Sequence, residues 1–444
     1  MSKIVYTALE DPDDLNYGLY APGFMFGRGL VRDGYTDTYI LTGAEGVSLV
    51  FRGEGFEFDA KGRPVEGHAT SIVIVLDGDT LATVTGVDIK ASKLAALDTP
   101  KEFYSLLGKM DVEGSVGRDY LMGWTGKDTL QGGDGDDLLA GGKGDDRLFG
   151  GDGGDGLTFE GGKDILDGGG GQDYAISGLG AVNLKIDLRE AGFQEIADGS
   201  TVKFVSVEGV VGGDGKDKLI GDAQANQLAG YDGNDSIVGN AGDDTIIGGL
   251  GDDTLKGGEG FDTVAFGSTD HGVKVSLAKE GAQNTGEGKD KIVGFENLTG
   301  TFYDDKLTGT SAFNHIEGGS GDDTIFGGGG RDGLFGGAGD DVFLFKGKVV
   351  DVANIADFND AGEHDLIDLS GLDANANLAG DQDFSFIGTG AFTGVAGQLR
   401  WSFFGNDPSR DILVAADTNG DKVADFYVQL TSPVNALTIN DFDL

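Results

Sequence analysis

Apolar and polar positions recur every nine residues through much of the 444-residue chain. Counted from Gly114, the register holds for 18 units: seven in residues 114–176, six in 212–265 and five in 300–344. Position 8 is apolar in every unit, position 1 is Gly in 17, position 4 is Gly in 15, and position 6 is Asp in 16 and Asn in two. A disordered linker has no reason to keep an apolar residue in register, so the pattern predicts an ordered repeat.

Each unit predicts a tight loop followed by a short strand. Six Gly-rich residues can turn through positive φ, and the remaining three can form a strand with one side chain directed inward. Two units then make one coil, and successive coils stack at the strand spacing of about 4.8 Å. The predicted fold is therefore all-β, a parallel β-roll or β-solenoid in three blocks.

Coiling predicts that position-6 side chains of alternate units lie above one another. In the first block, one row holds Asp119, Asp137, Asp155 and Asp173, and the other holds Asp128, Asp146 and Asp164. The later blocks contribute Asp217, Asp235, Asp244, Asp253, Asp262, Asp305, Asp323, Asp332 and Asp341. Carboxylates stacked about 5 Å apart repel one another unless a cation separates them, and Ca²⁺ accepts six to eight carboxylate and carbonyl oxygens in a flexible site. The predicted ligand of these aspartates is Ca²⁺.

Pairing each unit with the next but one predicts at most about 12 calcium sites in the three blocks. The sites at Asn226 and Asn314 are expected to be weaker, because an amide replaces the carboxylate. Position-5 acids such as Asp136, beside Asp137, could form catalytic pairs, but solvated loop residues are the favoured interpretation. Because each unit buries only one apolar side chain, we expect the roll to be unfolded without calcium.

Composition narrows the possible partners. The chain has 76 Asp and Glu against 32 Lys and Arg, a net charge of −44, which argues against binding to nucleic acid or to an anionic membrane. It has no Cys, which excludes disulfides and Cys-ligated zinc. The absence of an apolar run near 18 residues argues against a membrane span. The first residues lack the apolar stretch of a secretory signal peptide, so any export signal is expected elsewhere.

The units match GGxGxDxUx and resemble the RTX (repeats in toxin) calcium-binding family. This resemblance implies a parallel β-roll in which position-6 Asp side chains and loop carbonyls hold calcium. It also implies export of the unfolded chain through a type I secretion apparatus and folding in the calcium outside the cell.

Residues 345–444 are similar to the C-terminal domain of serralysin-type metalloproteases. The matching stretches are DVFLF at 341–345, IADFND at 355–360, HDLIDLSGL at 364–372, GQLRW at 397–401 and NDFDL at 440–444. The resemblance implies an uncleaved C-terminal secretion signal, and hence a protein located outside the cell or at its surface.

Between the blocks, residues 177–211 and 266–299 form two insertions that resemble each other. VNLKIDL at 182–188 and EGVVG at 208–212 correspond to VKVSL at 273–277 and ENLTG at 296–300, about 88 residues later. The alternation of apolar residues predicts strand pairs that continue the solenoid.

A separate candidate site lies at Asp417, Asn419 and Asp421, which have the D-x-N-x-D spacing of a calcium loop. Val428 stands where an EF-hand has its bidentate Glu. The competing interpretation is a hairpin, because apolar residues 412–416 and 423–430 flank the turn dipeptide Asn419-Gly420. We favour the hairpin and keep these three residues as a weaker candidate.

Residues 1–113 are expected to form a β-rich N-terminal cap. Short strands are predicted at 39–41, 47–51, 56–58, 71–76, 81–85 and 87–89. TPKE at 99–102 has the form of a capping box with Pro at the first helical position, which predicts a short helix near 100–108 leading into the first block.

No catalytic motif accompanies the protease resemblance. None of His68, His271, His315 and His364 belongs to an HExxH sequence, and no Ser lies in GxSxG. We therefore predict that the chain is not an enzyme but a secreted structural or matrix protein. The alternative is a calcium-dependent adhesin that binds polysaccharide or a cell surface, and a less favoured one is an enzyme with unrecognised catalytic residues in 1–113.

Overall fold

The computed structural model describes residues 2–6, 27–29, 37–42, 47–58, 64–76, 79–90, 110–114, 116–197, 199–267, 269–347, 353–359, 364–403, 411–431 and 436–444. The chain divides into two compact units, Met1–Val211 and Gly212–Leu444. Regular structure in the described ranges is β-strand apart from one 3₁₀ turn, Ile439–Asp441. The all-β class is confirmed, while the domain boundaries at 113/114 and 344/345 stay predictions.

The first unit begins with a mixed sheet that is antiparallel except for its last strand, which pairs in parallel with the first. Its strands are β1 Ser2–Tyr6, β2 Gly27–Gly29, β3 Asp37–Thr42, β4 Val47–Phe58, β5 Pro64–Leu76, β6 Asp79–Lys90 and β7 Met110–Glu113. They lie in the order β2-β3-β4-β5-β6-β1-β7. The prediction of separate strands at 47–51 and 56–58 is wrong, because β4 is continuous and accommodates shifts of register near Gly53 and Glu57. The same holds for 81–85 and 87–89, which both lie in β6. The predicted helix near 100–108 falls outside the described residues.

The first block forms the roll of this unit. Its strands are β8 Tyr120–Met122, β9 Thr125–Gly126, β10 Thr129–Asp134, β11 Leu138–Ala140, β12 Lys143–Gly144, β13 Arg147–Asp152, β14 Gly156–Phe159, β15 Lys163–Gly170 and β16 Tyr174–Ser177. Parallel pairing places Leu121 opposite Leu139 in one sheet and Leu130 opposite Leu148 in the other. Partners are thus 18 residues apart, which confirms the predicted two-unit coil.

The first insertion continues both sheets of this roll. It contains β17 Lys185–Asp187, β18 Gln194–Ala197, β19 Ser200–Val205 and β20 Gly209–Val211. Parallel pairing places β19 beside β15, with Phe204 opposite Leu166, and β20 beside β16, with Val210 opposite Ala175. The insertion is therefore an enlarged coil of the solenoid.

The second unit repeats this plan over the second block and second insertion. The strands of the block are β21 Lys218–Ile220, β22 Gln227–Asp232, β23 Ser236–Ala241, β24 Thr245–Leu250, β25 Thr254–Glu259 and β26 Thr263–Ala265. Those of the insertion are β27 Lys274–Ser276, β28 Gln283–Asn284, β29 Lys289–Val293 and β30 Asn297–Thr299. Strand β29 stacks in parallel on β25, and β30 on β26.

The two insertions share one side-chain clamp. The Gln194 amide accepts from Asp187 N at 2.8 Å and donates to Asp187 O at 2.9 Å. Gln283 makes the same pair of hydrogen bonds to the backbone of Ser276, both at 2.9 Å. The predicted correspondence between the two insertions is therefore present in their hydrogen bonds as well as in their sequences.

The third block and the C-terminal residues extend the sheets of the second unit. The block contains β31 Lys306–Thr308, β32 His315–Ser320, β33 Thr324–Phe326, β34 Gly333–Ala338 and β35 Val342–Lys346. The C-terminal strands are β36 Ala353–Ile355, β37 Leu366–Gly371, β38 Ser385–Phe386, β39 Gln398–Phe403, β40 Ile412–Asp417, β41 Phe426–Leu430 and β42 Phe442–Asp443. One sheet runs from β34 through β36, β41, β40 and β39 to β38, and another from β35 through β37 to β42.

The core is a stack of position-8 side chains. In all 18 units this side chain is at most 1% exposed, as for Leu139, Ile246 and Phe343. One inward side chain per strand leaves a thin apolar core, and the sides of the roll are closed by the loops. Among the described residues no helix is both long and apolar enough to cross a membrane.

Candidate metal centre

The position-6 aspartates line the interior of the loops. All 16 are at most 4% exposed, and both Asn residues at this position are 1% exposed. The pleat explains this burial, because positions 6 and 8 and the following position 1 are two residues apart and lie on the same face of the strand. A carboxylate is therefore turned inward together with each core Leu or Ile.

One oxygen of most of these carboxylates links successive coils. Asp119 N donates to Asp137 Oδ1 at 2.8 Å, Asp137 N to Asp155 Oδ1 at 2.8 Å, and Asp155 N to Asp173 Oδ1 at 2.8 Å. The other edge of the first block and the later blocks repeat the bond at 2.7 to 2.9 Å. We call each such line of stacked position-6 side chains an inner row.

The second carboxylate oxygen is buried without a hydrogen-bond donor at many positions of the inner rows. This holds for Oδ2 of Asp137, Asp146, Asp155, Asp173, Asp235, Asp244, Asp253, Asp262 and Asp323. A buried carboxylate oxygen with no donor is costly, and nine of them would not persist in a stable fold without a counter-charge.

Several of these oxygens face a main-chain carbonyl of the next coil. A Cβ added to Gly132 would overlap both Asp137 Oδ2 and Gly150 O, and one added to Gly150 would overlap Asp155 Oδ2 and Gly168 O. Two acceptor oxygens thus converge over the position-1 Gly, whose missing side chain leaves room for them. The near-invariance of Gly at position 1 follows from this geometry.

Burial shifts the titration of the inner rows. It raises the pKa of Asp137 to about 7, of Asp164 to about 7 and of Asp323 to about 8. The neighbouring backbone N–H lowers each pKa but does not offset burial, and adjacent inner-row carboxylates raise it further. A cation beside the orphaned oxygens would restore the ionised form at neutral pH.

The donor set fits a hard oxygen-loving cation. Carboxylate and carbonyl oxygens are the ligands of Ca²⁺, whose flexible coordination tolerates such a loop. In the described part of the chain no three Asp, Glu or His side chains group as a metal centre. Main-chain carbonyls would supply further ligands at the points where oxygens converge over Gly132 and Gly150.

The two Asn units carry an uncharged amide at position 6. Asn226 Oδ1 accepts from Asp222 N at 2.7 Å, and Asn314 Oδ1 accepts from Thr310 N at 2.6 Å. The amide oxygen is thus bonded within its own loop, and it carries no charge to attract a cation. Their weaker calcium binding stays a prediction.

The position-5 acids form a separate, exposed set, which we call the outer row. Asp136 and Asp145 are exposed, and Asp136 Oδ1 accepts from Gly154 N at 2.8 Å. The Lys127 ammonium bonds to Asp145 and lowers the pKa of that carboxyl. Solvent and local donors satisfy these carboxylates, as expected of solvated loop residues.

The weaker candidate at the C-terminal end forms a closed hairpin loop. Strands β40 and β41 pair antiparallel, with Ala416 opposite Phe426. Asp417 is fully buried, and its two oxygens accept from Gly420 N at 2.7 Å and Lys422 N at 2.9 Å. Asn419 Nδ2 donates to Asp425 Oδ1 at 3.0 Å. Donors within the loop bond to these groups, and calcium binding by Asp417, Asn419 and Asp421 stays a prediction.

Acids outside the nonapeptides also join the inner rows, and they are absent from the predicted ligand set. Asp173 N donates to Glu208 Oε2 at 3.0 Å, and Asp262 N to Glu296 Oε2 at 3.1 Å. Asp290 accepts in the same way from Asp253 N at 2.9 Å, and Asp365 from Asp341 N at 3.0 Å. The sequence did contain a signal for these four acids. Each has an apolar residue two positions later, which is also the spacing between the position-6 Asp and the position-8 apolar residue of a nonapeptide.

The nonapeptides match a known family model. The model for the RTX calcium-binding nonapeptide repeat (4 copies) matches residues 122–157, 160–181, 211–245, 229–264 and 308–343. Among solved structures, the chain is similar to the extracellular lipase LipA from Serratia marcescens, with 16% identity and a TM-score of 0.17. That alignment covers 52% of this chain and 40% of the lipase, and a likeness this distant does not inform the function. No curated protein is similar enough to match.

Fold and site together define a calcium-binding β-roll. Its stacked two-unit coils bury a carboxylate in 16 of 18 units, and several of these carboxylates face a carbonyl of the next coil. The repeat region belongs to the RTX calcium-binding nonapeptide family.

Proposed function

We propose that this RTX protein is secreted and that its roll folds on binding calcium outside the cell, where it acts as a structural or matrix module. The inner rows carry the proposal, because buried Oδ2 atoms such as those of Asp137 and Asp155 have no donor. Position-6 aspartates and position-1 carbonyls would hold the calcium. The ion would supply the charge that these oxygens need to be buried and ionised together.

Secretion is supported by the repeat type, since RTX repeat proteins are typically secreted. The C-terminal stretches that resemble serralysin-type domains support an uncleaved signal in residues 345–444. A cell that carries a type I secretion apparatus should export the full chain, and a chain lacking residues 345–444 should stay inside. Equal export of both chains would contradict this part of the proposal.

A second candidate function, calcium-dependent adhesion to polysaccharide, is favoured by one surface feature. Phe261 and Phe313 are 56% and 46% exposed, and their rings meet edge to face at 6.2 Å. Exposed aromatic rings are suited to packing against sugar rings. Trp401 is not part of such a surface, because it is only 7% exposed and belongs to the core.

A glycan array with the calcium-loaded protein tests the second candidate. Glycan binding that falls in F261A/F313A and persists in F193A would support an adhesin, since Phe193 is an exposed ring elsewhere on the chain. No binding to any glycan would leave the structural role as the proposal.

We also propose that the chain is not an enzyme. His271 and His315 each contact a neighbouring acid, Asp270 and Glu317, on the exposed surface. Neither contact brings a nucleophile with it. Calcium-dependent hydrolysis of a protein or ester substrate, abolished by H271A or H315A, would refute the proposal.

A further inference from the structure

The last unit of each of the first two blocks has the same arrangement of oxygens as units inside the block. Inside a block, a complete site such as that at Asp137 has three parts: a buried Oδ2 without a donor, a position-1 carbonyl of the next coil, and a carboxylate that accepts the aspartate N–H. The last unit of a block has no following nonapeptide to supply the second and third parts. The insertion supplies both.

At the end of the first block, Asp173 is fully buried and its Oδ2 has no donor. A Cβ on Gly168 would overlap this oxygen and also Ser206 O, which stands in place of a position-1 carbonyl. Glu208 Oε2 accepts from Asp173 N at 3.0 Å, in place of the next Asp. All three parts are present.

At the end of the second block the arrangement recurs 88 residues later. Asp262 is fully buried with an Oδ2 that has no donor, and a Cβ on Gly257 would overlap both this oxygen and Gly294 O. Glu296 Oε2 accepts from Asp262 N at 3.1 Å. In both insertions the carbonyl residue has positive φ, 46° at Ser206 and 70° at Gly294.

The other two acids outside the nonapeptides lack this arrangement. Asp290 Oδ2 accepts the hydroxyl of Thr285, and Asp365 Oδ2 accepts from Asn359 N at 2.6 Å. Their second oxygens are hydrogen-bonded by the protein. At Asp173 and Asp262, in contrast, the Oδ2 without a donor lies beside a main-chain carbonyl of the insertion.

We propose that Glu208 and Glu296 are calcium ligands, which complete one further site at the end of each of the first two blocks, with Asp173 and Ser206 O and with Asp262 and Gly294 O. Neither Glu lies in the matched family segments. Burial raises the pKa of Asp173 and of Asp262, and the charge of the neighbouring Glu carboxylate raises each pKa further. The inference rests on the calcium binding proposed above.

Counting bound ions tests the inference. The full chain and its E208Q, E296Q and E208Q/E296Q variants are dialysed to equilibrium against calcium alone, and bound calcium is measured per chain. Gln keeps an oxygen that can accept the aspartate N–H, so the substitution removes charge and leaves the hydrogen bond. We expect each single variant to bind one ion fewer and the double variant two fewer.

Matched controls are E195Q and E280Q, which change exposed glutamates of the same insertions. Both should bind the wild-type number of ions. A double variant that binds the wild-type number would overturn the inference, while loss of ions in D137A/D155A would show that the proposed function stands. A wild-type chain that binds no calcium would overturn both.

A local measurement covers the case in which the double variant does not fold. In E208Q, calcium-dependent protection of residues 168–176 against hydrogen exchange should be lost, while that of 132–158 is kept. Equal loss across both segments would mean that Glu208 is only structural, which would overturn the inference for this residue.

Discussion

Asp136 and Asp137 are adjacent in the chain and carry the same side chain, yet they belong to the outer and inner rows. Asp136 is exposed and has a backbone donor in Gly154, whereas Asp137 is 3% exposed and has one oxygen without a donor. Burial raises the pKa of Asp137 to about 7. The comparison shows that a carboxylate needs a cation when it lies on the inward face of its strand. The number of acids nearby in the sequence does not decide this.

Calcium removal should have the largest effect, because it acts on every inner-row site at once. Each site adds about 2.7 kcal/mol of stability when free calcium is about 100 times its Kd. In excess chelator, far-UV circular dichroism should lose most of the strand signal present in millimolar calcium. The same strand content in both conditions would contradict the role of the inner rows.

The double variant D137A/D155A should have the next largest effect. Loss of the neighbouring sites should lower the free energy of unfolding in calcium by about 2.7 kcal/mol for each site lost under the same conditions. D136A, the outer-row control, should change it by less than about 0.5 kcal/mol. Chemical denaturation in calcium measures both, and equal losses would break the distinction between the rows.

Acidification should weaken calcium binding through the inner row alone. Its raised pKa values, about 6 for Asp146 and about 8 for Asp323, mean that protons compete with calcium as the pH falls from 8 to 5. The calcium midpoint of folding should rise at least about tenfold over that range. Circular dichroism titrations at fixed pH measure the midpoint, and D136A should follow the wild type.

The same shifts give the opposite sign when calcium is absent. A carboxyl whose folded pKa lies above its unfolded value of about 3.9 favours the fold below that value, and this contribution is lost as the pH rises through the folded pKa. In excess chelator, the protein should therefore be more stable at pH 5 than at pH 8. Greater strand content at pH 8 than at pH 5 in chelator would refute the assignment.

The smallest effect is expected from single Gly substitutions that probe the space between the inner-row oxygens. In G150A the new Cβ would overlap Asp155 Oδ2 and Gly168 O, and overpacking of this kind costs about 1–3 kcal/mol. Gly161 offers a matched control, because its Cβ would meet only Ser200 Oγ at 3.8 Å. Thermal unfolding in calcium should separate G150A from G161A, and equal melting temperatures would argue against a crowded site.

Much of the fold was predictable because the spacing of the repeat determines the geometry of the coil. A nine-residue period with one apolar position predicts the coil, and pairing of Leu121 with Leu139 follows from two units per turn. The strands of β4 and β6 were less predictable, since a bulge lets one strand continue through Gly-containing segments that resemble turns.

The candidate site was predictable only in part. The position-6 Asp can be identified from the nine-residue spacing. Its two oxygens have different partners, however, and no sequence pattern predicts which oxygen has which partner. Glu208 and Glu296 lie near the ends of insertions whose lengths break the nine-residue count, so only stacking brings them next to Asp173 and Asp262.

By itself, the order of residues determined the period, the inward position of the Leu and Asp side chains and the kind of cation that oxygen ligands prefer, because these depend on the pleat and on donor chemistry. Tertiary structure alone decided which main-chain carbonyl faces each carboxylate and which acids of the insertions complete a row. Those relations join residues 18 or more positions apart, and they exist only once one coil lies on the next.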